Sequence, residues 1–235
     1  MLGRYNDEVR PRFLLLLLLA SLVSAVLAQT GDDVPSPAGA SAAAGARDPL
    51  VVFLGDSLTA GLGVNEDQAY PALVAQRLAA AGHPVRLLNA GVSGDTSAGG
   101  LRRLEWLLAQ HPAVVVVALG SNDGLRGLPL EETESNLRRI VTRAGEAGGR
   151  VLLLGMMVPP NYGPDYAPKF AAIFPRLAKE LAVPLVPFLL EGVGGRPDLN
   201  QGDGIHPTPE GHRLMAQTVF PKLEAIVSKL DSVRR

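Results

Sequence analysis

The chain contains no cysteine. That absence excludes a disulfide scaffold, a zinc–thiolate site, an iron–sulfur cluster and a cysteine nucleophile. It also removes the residue on which a lipoprotein anchor is built. Histidine is scarce: His83, His111, His206 and His212 are the whole supply, too few and too scattered for a multi-histidine metal centre. Positive charge is not in excess, with 22 basic against 23 acidic side chains, so the basic footprint of a nucleic-acid binder is missing. Several motifs are missing too. There is no Gly-x-x-x-x-Gly-Lys-[Ser/Thr] phosphate loop and no His-Glu-x-x-His zinc site. The glycines of 55–63 do not read Gly-x-Gly-x-x-Gly, so a dinucleotide fingerprint is absent. No Gly-x-Ser-x-Gly elbow surrounds Ser57, which speaks against the larger α/β-hydrolase fold.

What is present is a chain of 235 residues, 47% hydrophobic and 19% charged. That composition belongs to a globular protein, and the length suits one domain with a sizeable core. The N-terminus reads as an address. Arg4, Arg10 and Arg12 precede an almost unbroken apolar run over 13–27, and Val26 and Ala28 place small residues where a signal peptidase cuts. A cleavable signal peptide over 1–28 is expected, leaving no stable membrane span. An uncleaved anchor is the alternative, against which the apolar run is short. Residues 29–48 are rich in Ala, Gly, Ser and Pro; they have too little apolar surface to offset ordering and read as a flexible linker. The folded domain is expected over 49–235, in the periplasm or outside the cell.

Five apolar runs read as strands: 50–54 (LVVFL), 85–89 (VRLLN), 114–119 (VVVVAL), 151–156 (VLLLGM) and 184–188 (PLVPF). The third and fourth are apolar at nearly every position, the pattern of strands covered on both faces of a parallel sheet. Between them, apolar residues three and four apart predict helices over 71–81, 98–110, 132–147 and 167–181, with a last one over 209–230. Strict alternation of strand and helix defines one three-layer α/β/α sandwich. Right-handed crossovers then bring every strand's C-terminal end to one edge, where α/β proteins do their chemistry.

Four polar blocks fall at that edge. Gly55-Asp56-Ser57-Leu58 follows the first strand, Gly91-Val92-Ser93-Gly94-Asp95-Thr96 the second, and Gly120-Ser121-Asn122-Asp123 the third. Asp203-Gly204-Ile205-His206-Pro207 follows the fifth after a short loop. A serine hydroxyl is a weak nucleophile until a base takes its proton and a third group holds that base. Ser57, His206 and Asp203 supply these three types. An acyl-transfer transition state also builds negative charge on oxygen and needs donors fixed in advance. The N–H groups of Ser57 and Gly94 and the amide of Asn122 could converge on it. Singly, each residue has a plainer reading: Ser57 as a helix cap, His206 as a surface residue at a helix start, Asn122 as a turn former. The conjunction of four blocks, each just after an expected strand, points to a serine-hydrolase site.

On these blocks the sequence resembles the SGNH (GDSL) hydrolase family, from about Leu50 to the end. It is most similar to the bacterial thioesterase I/lysophospholipase/arylesterase branch. Ser57 matches the family nucleophile, Gly94 and Asn122 its oxyanion donors, and Asp203 with His206 its Asp-x-x-His pair. The segments 122–128 (NDGLRGL) and 160–163 (PNYG) also look like that branch. The family commonly has Gly directly before the Asn-Asp pair, where this chain has Ser121. The resemblance implies a flavodoxin-like sheet of order 2-1-3-4-5. It also implies an esterase acting through an acyl-serine, with no cofactor and no metal, and a small ester or thioester, lipid-derived ones included, as its partner.

The same resemblance implies an acyl groove beside the loop after the fourth strand. There, Met156 and Met157 would form an apolar slot, one of them packed into the core, and Asn161 and Tyr162 a polar lip. Two other readings stand beside the esterase: an extracytoplasmic glycan O-deacetylase or acyltransferase, and a non-catalytic flavodoxin-like binding module. Elsewhere the expectations are structural. Trp106 is expected to pack at the core or its rim, Asp123 to be a loop or capping carboxylate, and His83 and His111 to lie in loops. His212 is expected within the last helix, with no paired metal role. The oligomeric state is left open.

Overall fold

The structure, a computed structural model, describes residues 48–234. The expected signal peptide, and the expected linker apart from Asp48, lie outside the described residues. Five strands, β1 (Leu50–Gly55), β2 (Arg86–Gly91), β3 (Val114–Ala118), β4 (Arg150–Leu154) and β5 (Leu185–Val186), pair in parallel in the order β2-β1-β3-β4-β5. This is the order that the resemblance implies.

Why these segments are strands is plain in their burial. The four valines of β3 are fully buried, and so are Val51, Val52 and Leu54 of β1 and Leu152–Leu154 of β4. β-branched and aliphatic side chains on both faces suit a sheet sandwiched between helices. Each such burial contributes about 1.5–3 kcal/mol. β2 is the edge strand, and its side chains are only partly covered. At the opposite edge β5 is shorter than the run 184–188 suggests. Pro184 and Pro187 flank it and have no N–H for the ladder. With no partner strand beyond Val186, β4 also stops, at Leu154 rather than Met156.

The long helices follow the apolar periodicity to within one or two residues at most ends: α2 (Tyr70–Ala80), α3 (Ser97–Leu108), α5 (Leu130–Glu146), α6 (Tyr166–Glu180) and α7 (Pro209–Arg234). α2 packs against α7, and α5 packs against both α3 and α6, forming the two outer layers. Two one-turn helices, α1 (Ser57–Ala60) and α4 (Ser121–Leu125), and two 3-10 turns (Glu66–Gln68 and Pro160–Tyr162) had no sequence counterpart. They are too short to show a period, and α1 and α4 carry the motif residues.

One expectation is corrected. Trp106 is 65% exposed, not packed at the core. Leu104, Leu107 and Leu108 form the buried stripe of α3, and a residue two positions after Leu104 points to the far side of a helix.

Candidate active site

β1 delivers its chain end into the site through a glycine. A Cβ at Gly55 would lie 2.0 Å from Thr59 Oγ1, so only glycine lets α1 fold back so tightly onto the strand. The Asp56 carboxylate caps α1, with Oδ1 accepting from the Leu58 N–H at 3.1 Å. Ser57 is therefore the first residue of a helix that starts at the C-terminal edge of the sheet. Its Oγ lies 2.9 Å from His206 Nε2.

His206 is held from behind. Its Nδ1 lies 2.6 Å from Asp203 Oδ2, while Asp203 Oδ1 accepts from the N–H groups of Ile205 and His206, both at 3.0 Å. The bond to His206 and these two N–H groups hold the Asp203 carboxyl down at about 2. It is therefore an acceptor at all working pH values, and the imidazole proton belongs on Nδ1. Gln201, which carries no motif signal, fastens this loop. Its side-chain N–H₂ donates to the Leu62 carbonyl at 2.8 Å and the Pro207 carbonyl at 2.9 Å, and its backbone N–H donates to the His206 carbonyl at 2.7 Å. The histidine loop is thus tied to the chain just beyond the nucleophile's helix.

Gly94 and Asn122 face the same spot from β2 and β3. Gly94 has φ +80, a left-handed conformation that favours glycine, and Arg126 donates to its carbonyl at 2.9 Å. Asn122 Nδ2 donates to the Asp95 carbonyl at 3.0 Å and has a longer contact, 3.4 Å, with Asp56 Oδ2. Arg103 links the Asp95 carboxylate, at 2.8 Å, to the Gly55 carbonyl, at 2.9 Å. These two arginines brace the three loops against one another. Sequence reading misses them because a lone arginine on a helix has no local signature. Asp56 is itself 1% exposed, and burial raises its carboxyl to about 6.

Ser57, Gly94, Asn122 and His206 line a common cavity of about 520 Å³. Its walls are mostly apolar: Leu58, Leu62, Leu125, Met156, Met157, Val158, Phe188 and Ile205. Met156 is buried and Met157 half-exposed, and both reach the cavity because the strand has already ended. Asn161 and Tyr162, expected as a polar lip, are not in this wall. The Tyr162 hydroxyl is committed to the Leu125 carbonyl at 2.8 Å and its ring packs on the core, while Asn161 is exposed. Tyr162 supports the wall from outside.

The remaining polar residues hold the frame. Asp123 is buried and accepts from the Ser97 N–H at 2.8 Å, from the Ser97 hydroxyl and from Thr133; it caps α3 from the neighbouring short helix α4. His212 is buried in α7, where burial lowers it to about 4. Its Nδ1 accepts from the Tyr70 N–H at 3.3 Å, and the two rings stack. Among the described residues no group of three or more His, Asp or Glu is placed to hold a metal ion, and no helix is long and apolar enough to cross a membrane.

A parallel sheet of this order, with a Ser–His–Asp chain of hydrogen bonds beside an open apolar cavity, is the frame of an ester hydrolase. Residues 53–214 match the GDSL-like lipase/acylhydrolase family, and the chain belongs to it. It is 45% identical over 185 residues to Esterase TesA of Pseudomonas aeruginosa, covering 78% of this chain and 91% of that one. It is 42% identical over 186 residues to Thioesterase 1/protease 1/lysophospholipase L1 of Escherichia coli, covering 79% and 88%. A crystal structure of TesA superposes with a TM-score of 0.73 at 44% identity, covering 75% of this chain and 99% of that one. The chain is a carboxylic ester hydrolase of the SGNH type.

Proposed function

We propose that the protein is an exported serine esterase that hydrolyses carboxylic esters or thioesters of apolar acyl groups through an acyl-Ser57 intermediate. The observation that carries this reading is the unbroken line Ser57–His206–Asp203 at the wall of an apolar cavity. Ser57 Oγ attacks the carbonyl carbon as its proton passes to His206 Nε2. Asp203 accepts from Nδ1–H and stabilises the imidazolium. The carbonyl oxygen, now anionic, is received by the N–H groups of Ser57 and Gly94 and by the Asn122 amide. His206 then gives its proton to the leaving alkoxide or thiolate. Water attacks the acyl-enzyme with His206 as base, and Ser57 leaves with the returned proton. Ester and water are the only partners the scheme needs.

Two similar proteins carry the names esterase and thioesterase/lysophospholipase, which supports acyl substrates of this kind. Export rests on the leader read over 1–28, and intact mass of the protein recovered outside the cytoplasm tests it. Retention of residues 13–28 would refute cleavage after Ala28. The catalytic reading is tested with p-nitrophenyl esters from acetate upward. kcat/KM should rise toward a medium chain as methylenes enter the cavity, each adding up to ~0.8 kcal/mol, and Ser57→Ala should abolish turnover. A profile confined to acetate would overturn the acyl groove and favour a glycan deacetylase.

A further inference from the structure

Three polar groups beside the reacting atoms have complementary deficits. Asp56 is almost fully buried; its Oδ1 accepts from the Leu58 N–H at 3.1 Å, while its Oδ2 has a long contact with Asn122 Nδ2 at 3.4 Å, the limit of a hydrogen bond. The Ser121 hydroxyl is buried and makes no hydrogen bond as placed, yet it lies near enough to favour the ionised form of Asp56. Asn122 has one N–H well bonded, to the Asp95 carbonyl, and the other held only by the long contact with Asp56. Asp56, Ser57, Ser121 and Asn122 all line the cavity.

The second Asn122 N–H has two rivals for it. A buried carboxylate draws an N–H strongly, and so does the oxyanion that forms in the reaction. Leaving the carboxylate oxygen bare when Asn122 turns away costs its desolvation. A hydroxyl rotates about its C–O bond and changes acceptors at little cost.

We propose that Ser121 is a positioning residue: its hydroxyl takes over Asp56 Oδ2 as the oxyanion forms, freeing the second Asn122 N–H to donate to the substrate oxygen. No covalent bond to hydrogen breaks; the Asn122 N–H changes its acceptor, and the Ser121 hydroxyl gains one. The proposal rests on Ser57 being the nucleophile. It makes Ser121, where this chain departs from the family's common glycine, part of how this oxyanion hole is presented. The other titratable groups that act on Asp56 are His206 from the loop before α7 and Tyr70 of α2, while Arg103 of α3 bonds the carbonyl of the neighbouring Gly55.

The test is a double-mutant cycle on kcat and KM for one p-nitrophenyl ester between pH 6 and pH 9. It uses wild type, Ser121→Ala, Asp56→Asn and the double variant, with Ser121→Gly as a second probe of the same site. Ser121→Ala and Ser121→Gly should lower kcat on the order of 10-fold with KM unchanged, as loss of one hydrogen bond to a charged group does. The loss should be greater at pH 8.5, where Asp56 is ionised, than at pH 6. In the Asp56→Asn background the Ser121→Ala loss should shrink below about 2-fold, because the charged rival is gone. An equal loss in both backgrounds, no loss in wild type, or a change in KM alone would overturn the proposal. Fluorophosphonate labelling separates it from the reading beneath it. An unlabelled Ser57 in wild type overturns both, whereas a labelled Ser57 with uncoupled Ser121→Ala overturns this proposal alone.

Discussion

His206 Nε2 lies 2.9 Å from Ser57 Oγ although 149 residues of chain separate them. The parallel sheet closes that gap: β1 ends just before the serine, and the loop after β5 carries the histidine to the same rim. A fluorophosphonate probe should therefore label Ser57 alone, and His206→Ala should abolish labelling at neutral pH. Peptide mapping that finds the adduct on Ser93 or Ser121 would refute the assignment.

Asn122→Ala should lower kcat by about 10²–10³-fold, the usual effect of deleting one oxyanion donor. KM should change little, because the donor acts in the transition state. The variant also loses the bond to the Asp95 carbonyl, so thermal unfolding should accompany the kinetics. Near wild-type kcat in a folded variant would reduce Asn122 to a turn residue.

Gln201 does not itself line the cavity, yet its side chain joins the Leu62 and Pro207 carbonyls on either side of the pair. Gln201→Ala should loosen the histidine loop. We expect kcat to fall while KM holds, and global stability to drop by about 1–2 kcal/mol for the two lost bonds. Acid-side pH–rate data should keep their shape, since the groups that titrate remain. A displaced acid limb would mean that Gln201 acts on the charge of the site instead.

Two buried groups pull the pH dependence of stability in opposite directions. His212, lowered to about 4 from 6.5, supports the fold in its neutral form. The unfolded chain takes up that proton first, so about 3 kcal/mol is lost as pH falls from 6.5 to 4. Asp56, raised to about 6 from 3.8, is disfavoured when ionised, so about 3 kcal/mol is regained as pH falls from 6 toward 3.8. In wild type the two nearly cancel. Over the interval from pH 6.5 to 4, Asp56→Asn should therefore lose stability relative to wild type, and His212→Gln should gain it. Urea unfolding at several pH values reads this directly. Parallel curves for all three proteins would show that neither group is shifted.

The fold class was legible in the chain itself. Continuous apolar runs such as 114–119 and the three-and-four spacing of 132–147 are local patterns, and local patterns survive in the sequence whatever the rest of the chain does. The motif blocks at 55–58, 91–96, 120–123 and 203–207 were legible for the same reason, since turn-forming glycines and polar residues follow each strand. Tertiary structure alone decided the rest. It set the hydrogen-bonded line from Ser57 to Asp203, and it committed Tyr162 to the Leu125 carbonyl instead of the cavity. It turned Trp106 outward and placed the unpaired Ser121 hydroxyl beside Asp56. Gln201, Arg103 and Arg126 matter through one or two hydrogen bonds each to carbonyls or carboxylates of other segments. Such bonds depend on positions matched within a few tenths of an ångström between distant parts of the chain. No local pattern encodes that match, because it comes into being only when the sheet has brought those segments together.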